Sequence, residues 1–205
     1  MRGLKHWRRI FIRRWQAGKA MALEATFRAL FVQMRKLCDT LNAVLLTVGD
    51  KPQNRGAALA DELENTVLDI LGQAEDARTA ARIAEKAVAH PMDLERARRA
   101  LAKCQENFHR AEEQFANELV SYEKLASLAS LGNDRGGEWK PWAGSMKDAI
   151  EQGRQPLAEA SKALAACWQE LVEHGGGTSI SVTNTGQKIV ARNGLKEELI
   201  RERMT

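Results

Sequence analysis

Apolar positions recur along this chain at steps of three and four through most of its length, and the polar positions between them are heavily charged. That period is one face of an α-helix. Leu4, Trp7, Phe11 and Trp15 predict a first short helix over 4–16. Gly18 loosens the join to a second, about 20–48, striped by Leu23, Phe27, Leu30, Met34, Leu37, Leu41, Val44 and Val48. Gly49-Asp50-Lys51-Pro52 is turn chemistry and stops it. A third helix, about 54–88, carries Leu63, Val67, Ile70, Ala74, Ala77, Ala81, Ala84 and Val88 in heptad-like steps. His90-Pro91 ends it, because the residue before proline resists helical geometry.

Leu94, Ala97, Leu101, Cys104, Phe108, Ala111, Phe115, Leu119 and Tyr122 mark a fourth helix, about 92–131. The run 132–137 is a Gly-rich loop. Trp142, Met146, Ile150, Leu157, Leu164, Trp168 and Leu171 mark a fifth helix over 141–174, with a kink or short break expected near Gly153 and Pro156. After Gly175-Gly176-Gly177 the period becomes two. Residues 178–183 read as a strand, 184–186 as a turn, 187–192 as a second strand and 195–204 as a short terminal helix.

The expected fold is therefore all-α. It is an antiparallel, coiled-coil-like bundle of four long amphipathic helices, after a short basic helix and before a β-hairpin-like tail with a terminal helix. The expected divisions are 1–18, 19–174 and 175–205.

Composition agrees: hydrophobic residues make up 44% of the chain but aromatics only 5%, so alanine and leucine carry the apolar face, as helices prefer. Charge changes the picture more. Residues 1–19 hold seven Arg or Lys and no acid, so the net +4 of the whole leaves a mildly acidic body behind a basic head. Cys38, Cys104 and Cys167 are odd in number and form no C-x-x-C pair. They read as small buried hydrophobes in a reducing compartment. No apolar run reaches the roughly 18 residues of a membrane span. Arg13-Arg14 interrupts Ile10-Phe11-Ile12, so the N-terminus is not expected to be a secretory signal. A cytoplasmic location, at most peripheral to a membrane, is the expectation.

Phosphate-loop, dinucleotide, metalloprotease and nucleophile-elbow motifs are missing from the sequence, so neither a catalytic site nor a small-molecule substrate is expected. Glu106-Asn107-Phe108-His109 is a single E-x-x-H, where a di-iron bundle needs two. His109 is expected on a solvated face, with no metal or other cofactor. Glu112, Glu113, Glu170 and Glu173 read as surface charges. Trp139 and Trp142 are candidates for an exposed partner anchor, with a plug at the bundle end the favoured alternative.

Two segments remain. In the head, Trp7, Phe11 and Trp15 oppose Arg8, Arg9, Arg13 and Arg14, the pattern of a helix lying in an anionic membrane interface. The same helix suits packing on the bundle or on another subunit, and less well nucleic-acid phosphate. In the tail, Ile180, Val182, Ile189 and Val190 lie in a stretch free of acid and proline. An isolated hairpin is marginal in water, so these strands need their own bundle, another subunit's sheet or stacked copies. Function is expected from self-assembly and protein contacts in a homo-oligomer. A nucleic-acid-associated structural protein is the alternative, and a metal-binding bundle a distant one. This order of parts resembles the layout of membrane-active helical-bundle effectors of cell-death or defence systems, in which a β-prone tail receives an assembly signal. The strongly basic first helix departs from the hydrophobic one that such effectors often place first.

Overall fold

The computed structural model describes residues 2–52, 57–89, 92–130, 137, 139–175, 179–182 and 188–191, with side chains for 18–52, 57–58, 60–89, 92–117, 122, 137 and 139–174. Its elements are α1 (Arg2–Gly49), α2 (Ala57–Val88), α3 (Leu94–Ser130), α4 (Trp139–Gly175), β1 (Ser179–Val182) and β2 (Lys188–Ala191). The expected loop at 132–136, the turn at 184–186 and the terminal helix at 195–204 fall outside the described residues.

Four helices pack on one another, α1 on α2 and α4, and α3 on α2 and α4. The stripes read from the sequence are the faces that meet. From Leu23 to Val48 every expected stripe residue of α1 is at most 1% exposed, and the expected stripe of α2 is buried as well. In α3, Ala97 to Phe115 are buried, with Leu94 and Tyr122 half-buried beside them. In α4 the stripe is buried except Trp168, which is half-buried. The alanines of α2 from Ala74 onward leave little side chain between helix axes, so close approach is possible there.

Contacts along neighbouring helices run in opposed sequence order. Between α1 and α4, Thr47 meets Trp142, Lys36 meets Glu159, Thr26 meets Cys167 and Lys19 meets His174. Between α1 and α2, Lys51 just past α1 meets Asp61, Phe31 meets Arg82 and Arg28 meets Glu85. Between α3 and α4, Phe115 meets Gly153 and Tyr122 meets Ala143. The connection from α2 to α3 is tight. The Asp93 N–H donates to the Ala87 carbonyl at 2.8 Å, and the Asp93 carboxylate caps α3 by accepting from the Arg96 N–H at 2.9 Å.

Two expected breaks are not there. Gly18 does not divide the first helix from the second: α1 is one helix of 48 residues. Glycine costs only about 1 kcal/mol against alanine inside a helix, too little to end one with good formers on both sides. Nor do Gly153 and Pro156 interrupt α4, which runs through both. Proline removes one backbone donor at a cost of about 3 kcal/mol. The buried residues on either side, Ile150, Leu157 and Ala160, hold the helix on the core across that gap.

Candidate functional site at the pole shared by both chain ends

The chain's two informative segments leave the bundle at one pole. His174, in the last turn of α4, reaches across to α1, its Nε2 lying 3.0 Å from the carbonyl oxygen of Lys19. Its Nδ1 lies 2.9 Å from the Glu170 carbonyl oxygen and 3.4 Å from the Glu170 carboxylate. The head is everything in α1 before Lys19, and the tail is everything after Gly175. Their roots are thus one imidazole apart. The turn from α2 to α3 belongs to this pole too, since Glu85, near the end of α2, pairs with Arg28.

The head is helical backbone from Arg2, continuous with α1. The seventeen residues before Lys19 carry the helix about 25 Å beyond that contact at 1.5 Å per residue. Trp7, Arg8, Arg9, Phe11, Arg13, Arg14 and Trp15 all belong to this extension; their side chains are outside the described set. Trp7, Phe11 and Trp15, four apart, share one side of the helix by its 3.6 period.

On the other side of the root, β1 and β2 pair antiparallel, with Ile180 opposite Val190, Ser181 opposite Ile189 and Val182 opposite Lys188. Ile180, Val182, Ile189 and Val190 therefore all fall within the paired strands. The side chains there are likewise outside the described set. β1 also lies against α4.

Trp139 and Trp142 sit at the opposite pole, each only 6% exposed, in an edge-to-face pair with ring centroids 5.3 Å apart. The Trp142 indole N–H donates to the Thr47 carbonyl at 3.0 Å, and the Tyr122 hydroxyl donates to the Ala143 carbonyl at 2.8 Å. Buried this way, the two indoles plug the end where α1 stops and α4 begins. They offer no exposed anchor on this chain.

No family model matches this chain, and no curated protein does.

Among the described residues, no side chains converge in a way that suits catalytic or metal chemistry. Glu106 is held by Lys103 and Arg110, which keep its carboxyl below the usual carboxylate range, the Lys103 hydrogen bond being the larger cause. His109 turns instead to Glu112 and Gln105 on a half-exposed face. Glu173 accepts from Gln169, and Glu170 faces His174, so the four carboxylates noted in the sequence do not share a cleft. Among the described residues no group of three or more His, Cys, Asp or Glu is placed to hold a metal. Cys38, Cys104 and Cys167 are free thiols with no exposed surface. Burial pushes Cys38 up to about 11, Cys104 up to about 12, and Cys167 upward as well. They are protonated at neutral pH and poor nucleophiles. Two shallow hollows lie side by side in the groove between α1 and α4, sharing Thr40 and Gln152, and neither encloses charged groups in a buried site. Among the described residues no helix is long and apolar enough to cross a membrane.

Sequence reading missed three cross-helix ties. Glu85, 8% exposed, takes Arg82 at 2.5 Å and Arg28 at 3.6 Å, while the Arg82 guanidinium stacks 4.8 Å above the Phe31 ring. Lys51 joins the end of α1 to α2 through Asp61 at 2.7 Å and through Glu64. The third is His174. The i,i+3 spacing of Arg82 and Glu85 was visible in the sequence; the partners on the other helix were not.

Proposed function

We propose that this chain is a non-enzymatic helical-bundle protein that works through self-association and through contacts made where its head and tail emerge. In this reading the body from 19 to 174 is an up-and-down antiparallel bundle, coiled-coil-like in its seams, that serves as a scaffold. The basic head docks on an anionic membrane surface, with Trp7, Phe11 and Trp15 in the interface and Arg8, Arg9, Arg13 and Arg14 toward the headgroups. The tail forms a hairpin whose Ile180, Val182, Ile189 and Val190 make β-type contacts between copies, giving a homo-oligomer or larger assembly.

The observation that carries this reading is the Lys19–His174 contact. Because both segments leave from one pole, copies joined through their tails would present their heads toward the same side. Each basic residue near an anionic leaflet contributes about 1 kcal/mol, so clustering heads compounds a modest single-copy affinity.

Co-sedimentation tests it. Full-length protein is mixed with vesicles of phosphatidylcholine alone or with phosphatidylserine, beside a variant with Arg8, Arg9, Arg13 and Arg14 all replaced by Gln. The expected result is binding to the anionic vesicles that the variant loses. Equal binding by both proteins ends the membrane role. Steep salt-dependent retention on DNA or RNA without lipid binding transfers the head to nucleic acid.

A further inference from the structure

His174 is placed to do more than end a helix. Both of its ring nitrogens face oxygen acceptors: the Lys19 carbonyl at 3.0 Å from Nε2, and the Glu170 carbonyl at 2.9 Å from Nδ1. A neutral imidazole carries one N–H and can satisfy only one of them. The imidazolium carries two and satisfies both. The side chain is 10% exposed, so water is a poor substitute on either side. Two further features surround the ring. The Glu170 carboxylate is 3.4 Å from Nδ1. The ring sits in the last turn of α4, where the helix dipole is negative. Lys19 meets the ring through its backbone carbonyl. On α3, the other helix packed on α4, the first turns carry Glu95, Arg96, Arg98 and Arg99, of which Glu95 and Arg98 pair with each other at 3.7 Å. Neither α3 nor β1 gives the ring an ion pair or hydrogen bond among the described residues.

We propose that His174 is a pH-sensitive clasp that fastens the end of α4 to α1 directly beneath the head and the tail. Protonated, it ties Glu170 and Lys19 together through one ring and holds the last turn of α4 shut. Deprotonated, it must release one carbonyl, and that turn opens more often. The tail is attached one residue later, at Gly175, so the clasp sets how firmly the tail is rooted on the bundle. Histidine is the side chain whose ordinary charge change falls between pH 5 and 8, the range over which the clasp is tested. It does not depend on what the head or the tail binds.

Backbone hydrogen exchange on the full chain reads it, corrected for intrinsic exchange rates. The amides of 171–175 are compared at pH 8 and pH 5.5 with those of 157–164 in the middle of α4. The expected result is protection of the last turn rising on the order of tenfold on acidification, with the middle unchanged. In His174→Gln the last turn stays at its weak, high-pH level throughout. A flat wild-type profile, or the same rise in His174→Gln, overturns the clasp. Nitrogen chemical shifts of the wild-type ring give a second measurement that needs no variant. Both Nδ1 and Nε2 should be protonated over the pH range in which protection rises. A ring that titrates in a separate range overturns the proposal equally.

Discussion

The ring of Phe115 on α3 occupies the space a side chain would need at Gly153 on α4: a Cβ built there would stand 2.7 Å from the ring's Cζ. Glycine at this position is thus the hole that receives an aromatic knob, and not a helix breaker. Gly153→Ala is expected to destabilise the protein by about 1–3 kcal/mol, despite alanine's better helix propensity, because Phe115 must move within a packed seam. Urea denaturation measures it. Adding Phe115→Leu should recover part of the loss, and a purely additive double mutant would argue against the contact.

Gly18 is the opposite case. It is exposed, and nothing lies within 4 Å of a Cβ there. Gly18→Ala should stabilise α1 by about 0.5–1 kcal/mol through propensity alone. A higher thermal midpoint with no loss of anionic-vesicle binding is expected, since the head already continues α1 as helix. A fall in vesicle binding would mean that the head must bend at Gly18 to work.

Trp142 lies at the pole away from the proposed docking segments, so it tests whether docking and bundle stability can be separated. Trp142→Ala should cost about 3–5 kcal/mol, removing a buried indole and leaving the Thr47 carbonyl without that donor. At temperatures where the variant remains folded, vesicle binding should be unchanged. Lost vesicle binding with stability intact would make Trp142 a docking residue after all.

Lys51 gives the alkaline limb of the stability curve. Hydrogen bonds to Asp61 and then Glu64 raise its ammonium above the usual lysine value of 10.5. A raised folded value means the stabilisation is fully present below that ordinary value and is lost as pH rises through the raised one. Denaturation midpoints should therefore decline from about pH 10.5 upward. Lys51→Met should be less stable at pH 7 and should show a shallower alkaline decline. An alkaline decline as steep in Lys51→Met as in the parent would assign it to other groups.

The cysteines make a simple check on the core. With thiols fully buried and raised to about 11 at Cys38 and about 12 at Cys104, a thiol reagent at pH 8 should label none of the three in the native protein. Denaturant should release all three together. Rapid native labelling of any one would place that helix face outside the core.

The sequence by itself determined which face of each helix is buried. Phe27, Ile70, Phe108 and Met146 are legible because burial in a long helix repeats every three or four residues, and that period survives any choice of neighbour. Helix ends at Gly49 and Val88 were legible for a related reason, since turn residues and proline act locally. The expected join at Gly18 and the expected break near Gly153 and Pro156 are not there, because a local penalty of about 1–3 kcal/mol ends a helix only where packing does not outweigh it. The partners across helices, Arg28 with Glu85, Phe115 with Gly153 and Lys19 with His174, follow no local rule. Each depends on how two helices far apart in sequence are set side by side, and only the tertiary structure decides that. The same arrangement turned the two ends of the chain, read separately as head and tail, into neighbours at one pole.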